Sequence, residues 1–145
     1  MPVIALSAMG ATDASLTLEQ AAAAVRAAEL SFGNADVPAM LACFTDDCVV
    51  RFAEQRDMHG KEELGRFLTA RMARQRNYGL KKTLRCHRDN IIGVEWRGWW
   101  DDARTGKAME GKGLEFWTMR EGRIAVWDAG FNVWERDGPR VSPVA

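Results

Sequence analysis

The chain has 145 residues, of which 47% are hydrophobic and 28% are charged, and its 20 basic residues balance 20 acidic ones. This length suits one domain with a buried core and is too short for two. The balanced charge argues against binding to nucleic acid or to an anionic membrane through bulk charge. No segment approaches the ~20 uninterrupted apolar residues that a membrane-spanning helix needs.

The cysteines and the two ends of the chain indicate the cellular compartment and the extent of the domain. Cys43, Cys48 and Cys86 are odd in number and show no C-x-x-C spacing, so neither a disulfide framework nor a zinc site is expected. Residues 1–14 lack the basic start of a signal peptide. We therefore expect a cytoplasmic protein with a disordered segment at residues 1–14, one domain at 15–135 and a flexible tail at 136–145.

Two helices are predicted first. The first begins at Thr17, whose spacing to Gln20 is that of a capping box, and it ends at Gly33. The second begins at Asp36 and ends at the polar turn of residues 45–47. A β-branched stretch at residues 48–53 then predicts a strand.

A third helix is predicted over residues 58–75, because its apolar residues recur with helical spacing. Its apolar face consists of Leu64, Phe67, Leu68 and Met72. From Tyr78 onward the apolar period changes to two, which predicts four strands. Turns at residues 101–106 and 121–122 join the last three strands into an antiparallel meander. Helices followed by a sheet indicate an α+β fold.

Charge pairing suggests a register for the first hairpin of the meander. If Trp100 faces Lys107, then Arg97 lies opposite Glu110, and Glu95 lies opposite Lys112. The other face of this hairpin then forms the inside of a cup. Its members are Val94, Trp96, Gly98, Trp100, Met109, Gly111, Gly113, Glu115 and Trp117.

The second hairpin leaves two registers open. A two-residue loop at residues 121–122 places Glu115 opposite Asp128, so that both carboxylates share the cup. A bulge in the turn or near Ala125 shifts the register by one residue. Asp128 then lies on the opposite face, with Trp127, Ala129 and Phe131 beside Glu115.

In the shared register, Glu115 and Asp128 are the candidate catalytic residues. Two carboxylates about 5 Å apart in a tryptophan-lined cavity cannot both ionise at low cost, so one serves as an acid and the other as a base. The structural alternative is that Glu115 bonds an indole N–H or Arg51 in the core. Asp128 is then solvated or lies at a dimer interface.

Other residues are candidates for binding a ligand rather than for catalysis. Asn132 could orient a substrate, and Arg51 borders the expected cavity mouth. The tryptophans concentrate on the meander, which favours an aromatic pocket walled by Trp96, Trp100 and Trp117. His59 and His87 have no partner at metal-binding spacing, so no metal site is expected.

Several motifs resemble those of the nuclear transport factor 2-like superfamily. Within that superfamily, they are most similar to an uncharacterised bacterial branch of the SnoaL-like proteins. They are DMHGKEELGRFLTARMAR at residues 57–74, Trp-Asp-Asp at 100–102, G-x-E-x-W at 113–117 and A-G-F-N at 129–132. The resemblance implies an α+β cone in which three N-terminal helices pack on a strongly curved, mainly antiparallel sheet and enclose one pocket. It also implies dimerisation through the sheet.

The resemblance to characterised relatives is weaker at their catalytic residues. Limonene epoxide hydrolase carries its catalytic aspartate at the position that Ala129 occupies here. Ketosteroid isomerases need a tyrosine in their oxyanion hole, and Tyr78, the only tyrosine here, lies at the far end of the third helix. We therefore expect a homodimer that binds a small, largely apolar organic molecule without a cofactor. It would act as an isomerase, cyclase or hydrolase, or as a non-catalytic binding or dimerisation module.

Overall fold

The computed structural model describes residues 15–142 and 144–145. The expected disordered segment at residues 1–14 lies outside them. The helices are α1 (Leu18–Gly33), α2 (Val37–Ala42) and α3 (Gly60–Arg74). The strands are β1 (Phe44–Phe52), β2 (Met58–His59), β3 (Gln75–Arg88), β4 (Ile91–Asp102), β5 (Ala108–Arg120) and β6 (Arg123–Glu135).

The capping box predicted for α1 is confirmed. The Gln20 backbone N–H donates to the Thr17 hydroxyl at 3.1 Å, and the Thr17 N–H donates to the Gln20 side-chain oxygen at 2.9 Å. These two bonds satisfy donors that a helix start otherwise leaves free. The buried face of α1, which includes Val25 and Phe32, packs mainly against β3.

The end predicted for the second helix is wrong. Asp36 caps α2 as expected, because its carboxylate accepts from the Ala39 N–H at 3.0 Å. The helix ends at Ala42, however, and residues 45–47 belong to β1. The Ile124 N–H donates to the Cys43 carbonyl at 2.8 Å, so β1 begins directly after the helix. Residues 45–47 lie in the irregular stretch between Phe44 and Val49, which both pair with β6.

The six strands form one mostly antiparallel sheet in the order β2-β1-β6-β5-β4-β3. The pairing of β1 with β6 is parallel, and all the others are antiparallel. With the helices before the meander, this is the α+β architecture predicted from the sequence.

The register predicted for the β4–β5 hairpin is wrong by two residues. Trp100 pairs with Met109 and Arg97 with Lys112. The loop is shorter than expected because Asp102 closes it: its backbone N–H donates to the Lys107 carbonyl at 2.9 Å. A shift of two residues leaves every side chain on its predicted face, so the membership of the cup is confirmed.

The β5–β6 hairpin adopts the register with a bulge. The turn itself has the expected two residues, with φ of 51° at Glu121 and 74° at Gly122, and Arg120 pairs with Arg123. The register then shifts between Thr118 and Met119, so that Glu115 pairs with Ala129 rather than Asp128. The extra residue on β6 is Ala125, which is buried.

Candidate functional site

A cavity of about 530 Å³ opens between α3, the segment after β1 and the inner face of the sheet. Its apolar walls are Phe52, Phe67, Trp96, Trp100, Met109 and Phe131. The predicted walls Trp96 and Trp100 thus line it. This volume is in the range of small-molecule sites, which are typically concave, apolar and equipped with a few polar groups.

Trp96 occupies the inner face because two glycines leave room for its indole ring. A Cβ atom on Gly98 would lie 2.3 Å from the ring, and one on Gly111 would lie 2.7 Å from it. Gly98 and Gly111 are paired across β4 and β5. The ring therefore lies against a bare patch of sheet, where it forms a wall of the cavity.

An aromatic layer forms the inner end of this cavity. Phe131 contacts Trp96 edge to face at 5.0 Å between centroids and Phe52 at 5.3 Å. Trp96, Gly113 and Phe131 form one cross-strand row, and Val94, Glu115 and Ala129 form the next deeper row. Glu115 thus lies beyond the aromatic layer and is not part of the cavity lining.

Glu115 forms a buried ion pair with Lys82. The Lys82 Nζ lies 2.9 Å from both carboxylate oxygens, and the Trp117 indole N–H donates to Oε2 at 2.9 Å. Phe32, Trp117 and Trp127 surround the ammonium at 5.5 to 5.9 Å from their ring centroids. Burial lowers the pKa of Lys82, and the attraction of Glu115 opposes that shift.

Lys82 was missed at the sequence level. Its neighbours at alternate positions, Leu80 and Leu84, mark the inward face of β3. A lysine on an apolar face signals a buried charge that needs a partner. Of the two partners proposed for Glu115 in the structural alternative, the indole N–H is found, and Lys82 takes the place of Arg51.

Arg71 reaches the inner end of the cavity from α3. Its Nε donates to the Gln75 side-chain oxygen at 2.9 Å, and its Nη2 donates to the Tyr78 hydroxyl at 3.4 Å. The Tyr78 hydroxyl also accepts from the Trp96 indole N–H at 2.9 Å. Burial raises the pKa of Tyr78, so the phenol stays protonated at neutral pH.

A second ion pair lies at the cavity mouth. The guanidinium of Arg74 binds the Asp102 carboxylate through Nε and Nη2, with a shortest distance of 2.7 Å. The Arg104 backbone N–H also donates to this carboxylate at 2.8 Å. The bond from Arg74 is the main reason that the pKa of Asp102 is lowered to about 2. Asp102 is therefore ionised at neutral pH and is a poor proton donor.

The acid pair is not formed. Asp128 pairs with Phe116 and Arg51, and lies beside a shallow cavity on the outer face of the sheet. Burial raises its pKa, while Arg51 opposes the shift. The physical reason is the bulge at Ala125, which turns alternate side chains of β6 to the other face.

The other predicted binding residues also lie outside the cavity. Asn132 pairs with Lys112 on the outer face and is exposed. Arg51 forms an ion pair with Asp57 at 3.6 Å. Trp117 is 1% exposed in the core, where it bonds Glu115 rather than forming a wall.

The described residues contain neither a metal-binding cluster nor a membrane-spanning helix. Within residues 15–142 and 144–145, no group of three or more His, Cys, Asp or Glu side chains is arranged to hold a metal ion. In the same part of the chain, no helix is long and apolar enough to span a membrane.

Solved structures share this fold at low sequence identity. An NTF2-like protein of unknown function from Burkholderia pseudomallei K96243 is 18% identical with a TM-score of 0.69, over 78% of this chain and 91% of that one. A limonene-epoxide-hydrolase-like enzyme of M. tuberculosis is 19% identical with a TM-score of 0.63, over 79% and 84%. The epoxide hydrolase/cyclase-like enzyme SalBIII is 11% identical with a TM-score of 0.72, over 81% and 96%.

The chain shares the fold of these NTF2-like and epoxide hydrolase/cyclase-like proteins, which is the fold that the sequence motifs indicated. The chain belongs to the family described as protein of unknown function DUF1348, whose model matches residues 14–135. The comparison with curated proteins gave no match.

Proposed function

We propose that this protein binds a small, largely apolar organic molecule in the cavity between α3 and the sheet. The observation that carries the proposal is the cavity of about 530 Å³ with five aromatic side chains, Phe52, Phe67, Trp96, Trp100 and Phe131, on its walls. Burial of an apolar ligand against such walls supplies binding free energy of about 25 cal/mol for each Å² removed from water. Arg71 and Gln75 add a few polar groups that can fix its orientation.

The competing cavity in the fold is less suited to this role. It measures about 470 Å³ and lies between α1, α2 and the β5–β6 turn. Its walls include Ala24, Ala27 and Ala39, and none of the described residues on them carries an aromatic ring. Its carboxylate, Asp36, already caps α2.

The neutral fluorescent probe N-phenyl-1-naphthylamine tests the proposal. Ala70 is an exposed residue of α3 on the cavity wall, so Ala70→Trp fills the cavity without altering the core. Thr69→Trp is the matched control, because Thr69 is exposed on the same helix outside the lining. We expect probe fluorescence to rise with wild type and Thr69→Trp and not with Ala70→Trp. Equal binding by Ala70→Trp would refute the proposal.

Catalysis of the isomerase, cyclase or hydrolase kind is a second candidate. It is favoured by Glu115, which is 1% exposed and held beside a lysine one row below the aromatic layer. A carboxylate kept in a dry site near a bound carbonyl compound could act as a base. The bound molecule would first have to displace the ring of Phe131 or Trp96.

Deuterium exchange tests this second candidate. The probe is 2-tetralone in D₂O, whose α-protons exchange when a base abstracts them, and NMR follows their loss. Catalysis predicts exchange that wild type accelerates and Glu115→Gln does not. Equal exchange rates for both proteins would remove Glu115 from any such reaction and leave the binding function.

We also propose a second copy of this chain as the partner of the outer sheet face. Leu114 and Phe116 are 60% and 55% exposed there. Charges of both signs surround them, including Arg97, Lys112 and Asp128. A mixed pattern of this kind can complement itself across a twofold axis. The formal net charge of zero means that two copies do not repel each other at neutral pH.

A further inference from the structure

We propose that the molecule bound in this cavity is a flat organic acid, whose anionic group meets Arg71 and the Tyr78 hydroxyl at the inner end. This inference rests on the proposed function and specifies its ligand class.

The guanidinium of Arg71 has donors to spare. Of the five N–H groups of an arginine, one bonds Gln75 and one bonds Tyr78, the latter weakly at 3.4 Å. No carboxylate of the described residues forms an ion pair with Arg71, whereas Arg74, one turn further along α3, is paired with Asp102. Arg71 lies on the cavity lining, so an anion bound in the cavity can accept from the donors that have no partner in the protein.

Aromatic rings hold this guanidinium in place. Its central carbon lies 6.0, 5.7 and 5.9 Å from the ring centroids of Phe32, Tyr78 and Trp96. Cation–π contacts stabilise the charge, yet they leave the in-plane N–H groups unsatisfied. The planar fork of donors suits the two oxygens of a carboxylate.

Behind the inner end of the cavity, Lys82 lies near Arg71 and is accompanied by two carboxylates. Lys82 of β3 lies 5.5 Å from the Phe32 ring that Arg71 also contacts. Glu115 of β5 neutralises Lys82, and Glu29 of α1 accepts from the Lys82 backbone N–H at 2.7 Å. Burial is the main reason that the pKa of Lys82 is lowered, and the repulsion of Arg71 is a lesser one. Because Glu115 pairs with Lys82, Arg71 is the cation of this group that an anion in the cavity can reach.

Tyr78 provides a further donor directly behind the cavity lining, to which its neighbours Arg71 and Trp96 belong but Tyr78 itself does not. Its oxygen accepts hydrogen bonds from both Arg71 and Trp96, and its own hydroxyl proton has no acceptor among the residues that the structure describes. Because burial raises its pKa, it keeps this proton at neutral pH. Arg71 and Tyr78 together can therefore donate to one anionic group.

The aromatic walls of the cavity favour a ligand whose anionic group is attached to a flat ring system. The rings of Trp96 and Trp100 are 6.4 Å apart at 34° to each other, and Phe131 meets Trp96 edge to face. Aromatic faces and edges of this kind pack best against another planar system.

The decisive experiment compares 2-naphthoate with 2-naphthamide, which have the same shape and differ in charge. Calorimetric titration of wild type at pH 7 is expected to show naphthoate binding about tenfold tighter or more, since hydrogen bonds to charged groups are the stronger ones. Arg71→Gln should reduce the ratio of the two affinities to about one. Arg104→Gln is the control, because Arg104 is an exposed cation on the cavity lining, and it should keep the preference.

Tyr78→Phe gives an independent readout if Arg71→Gln does not fold. It removes the hydroxyl but keeps the ring, so we expect the preference for naphthoate to fall while naphthamide binding is retained. Equal affinities for the two compounds in wild type, or a preference that survives Arg71→Gln, would overturn the inference and leave the proposed function intact. Failure of the proposed function gives a different result, because N-phenyl-1-naphthylamine would then bind to wild type and to Ala70→Trp equally.

Discussion

Lys82 donates to both carboxylate oxygens of Glu115 at 2.9 Å, with the two side chains only 2% and 1% exposed. A pair this deeply buried contributes little net stability, because desolvation offsets most of the attraction between the charges. Removing only one member of the pair is strongly destabilising, because the remaining charge would lie unpaired in an apolar core.

We therefore expect Lys82→Met to lower the free energy of unfolding by about 3–5 kcal/mol. Adding Glu115→Gln should restore a large part of it, because glutamine is neutral and can still accept from the Trp117 indole. Urea unfolding followed by circular dichroism measures both. Arg66→Met, which breaks the exposed Arg66–Glu62 pair, should cost about 1 kcal/mol or less. A double variant as unstable as Lys82→Met would contradict this account.

Gly111→Ala is expected to destabilise the fold by about 1–3 kcal/mol. The new methyl group would lie within 2.8 Å of the Trp96 ring and 3.3 Å from the Asn132 carbonyl oxygen, so the indole must move into the cavity. Gly130→Ala on β6 is the matched control, because nothing lies within 4 Å of its Cβ position. Thermal unfolding and probe binding should both change in Gly111→Ala alone. Equal melting temperatures for Gly111→Ala and Gly130→Ala would show that the close approach of position 111 to the Trp96 ring does not affect stability.

Asp102→Asn should alter the response to acid. Because the pKa of Asp102 falls from its ordinary value of 3.8 to about 2 in the folded protein, ionised Asp102 stabilises the fold above about pH 4. That contribution is lost as the pH falls towards about 2. We expect Asp102→Asn to be less stable than wild type at pH 7 and to lose less stability between pH 5 and 2.5.

Melting temperatures measured across that range test the expectation. Asp101→Asn is the control, since among the described residues the Asp101 carboxylate accepts only from the exposed Asn77 side chain. Parallel pH profiles for wild type and Asp102→Asn would mean that the bond to Arg74 does not favour the ionised form.

Leu114→Glu is expected to shift the protein from dimer to monomer. A carboxylate at the centre of the outer apolar patch would lose its hydration on association. Sedimentation equilibrium measures the change, and Leu30→Glu is the control, because Leu30 is 67% exposed on α1, away from the sheet. Monomeric wild type at micromolar concentration, or a dimer that tolerates Leu114→Glu, would exclude this interface.

The parts of the structure that depend on local chemistry were predictable. The capping box at Thr17 and the cap at Asp36 satisfy donors within one turn, so a few letters of sequence specify them. The alternation of side chains placed Trp96 and Trp100 correctly on the inner face, since a register error of two residues does not change the face.

What the sequence left open or missed depends on long-range packing. It left both β5–β6 registers open, because the bulge at Ala125 has no marker such as glycine or proline, and this bulge decides that Asp128 faces outward. The partner of Glu115 lies 33 residues earlier in the chain. An alternation rule can indicate that Lys82 faces the core, but only the folded sheet shows which carboxylate it meets.

The parallel pairing of β1 with β6 has a consequence for how the chain is made. Phe44 pairs with Ile124 and Phe52 with Ala129, so the first strand has its long neighbour only after the intervening β3, β4 and β5 have left the ribosome. Until then β1 exposes an unpaired edge that other chains could join. Contacts so distant in sequence slow folding, and a truncation that removes β6 would leave β1 with the two residues of β2 as its remaining partner in the sheet.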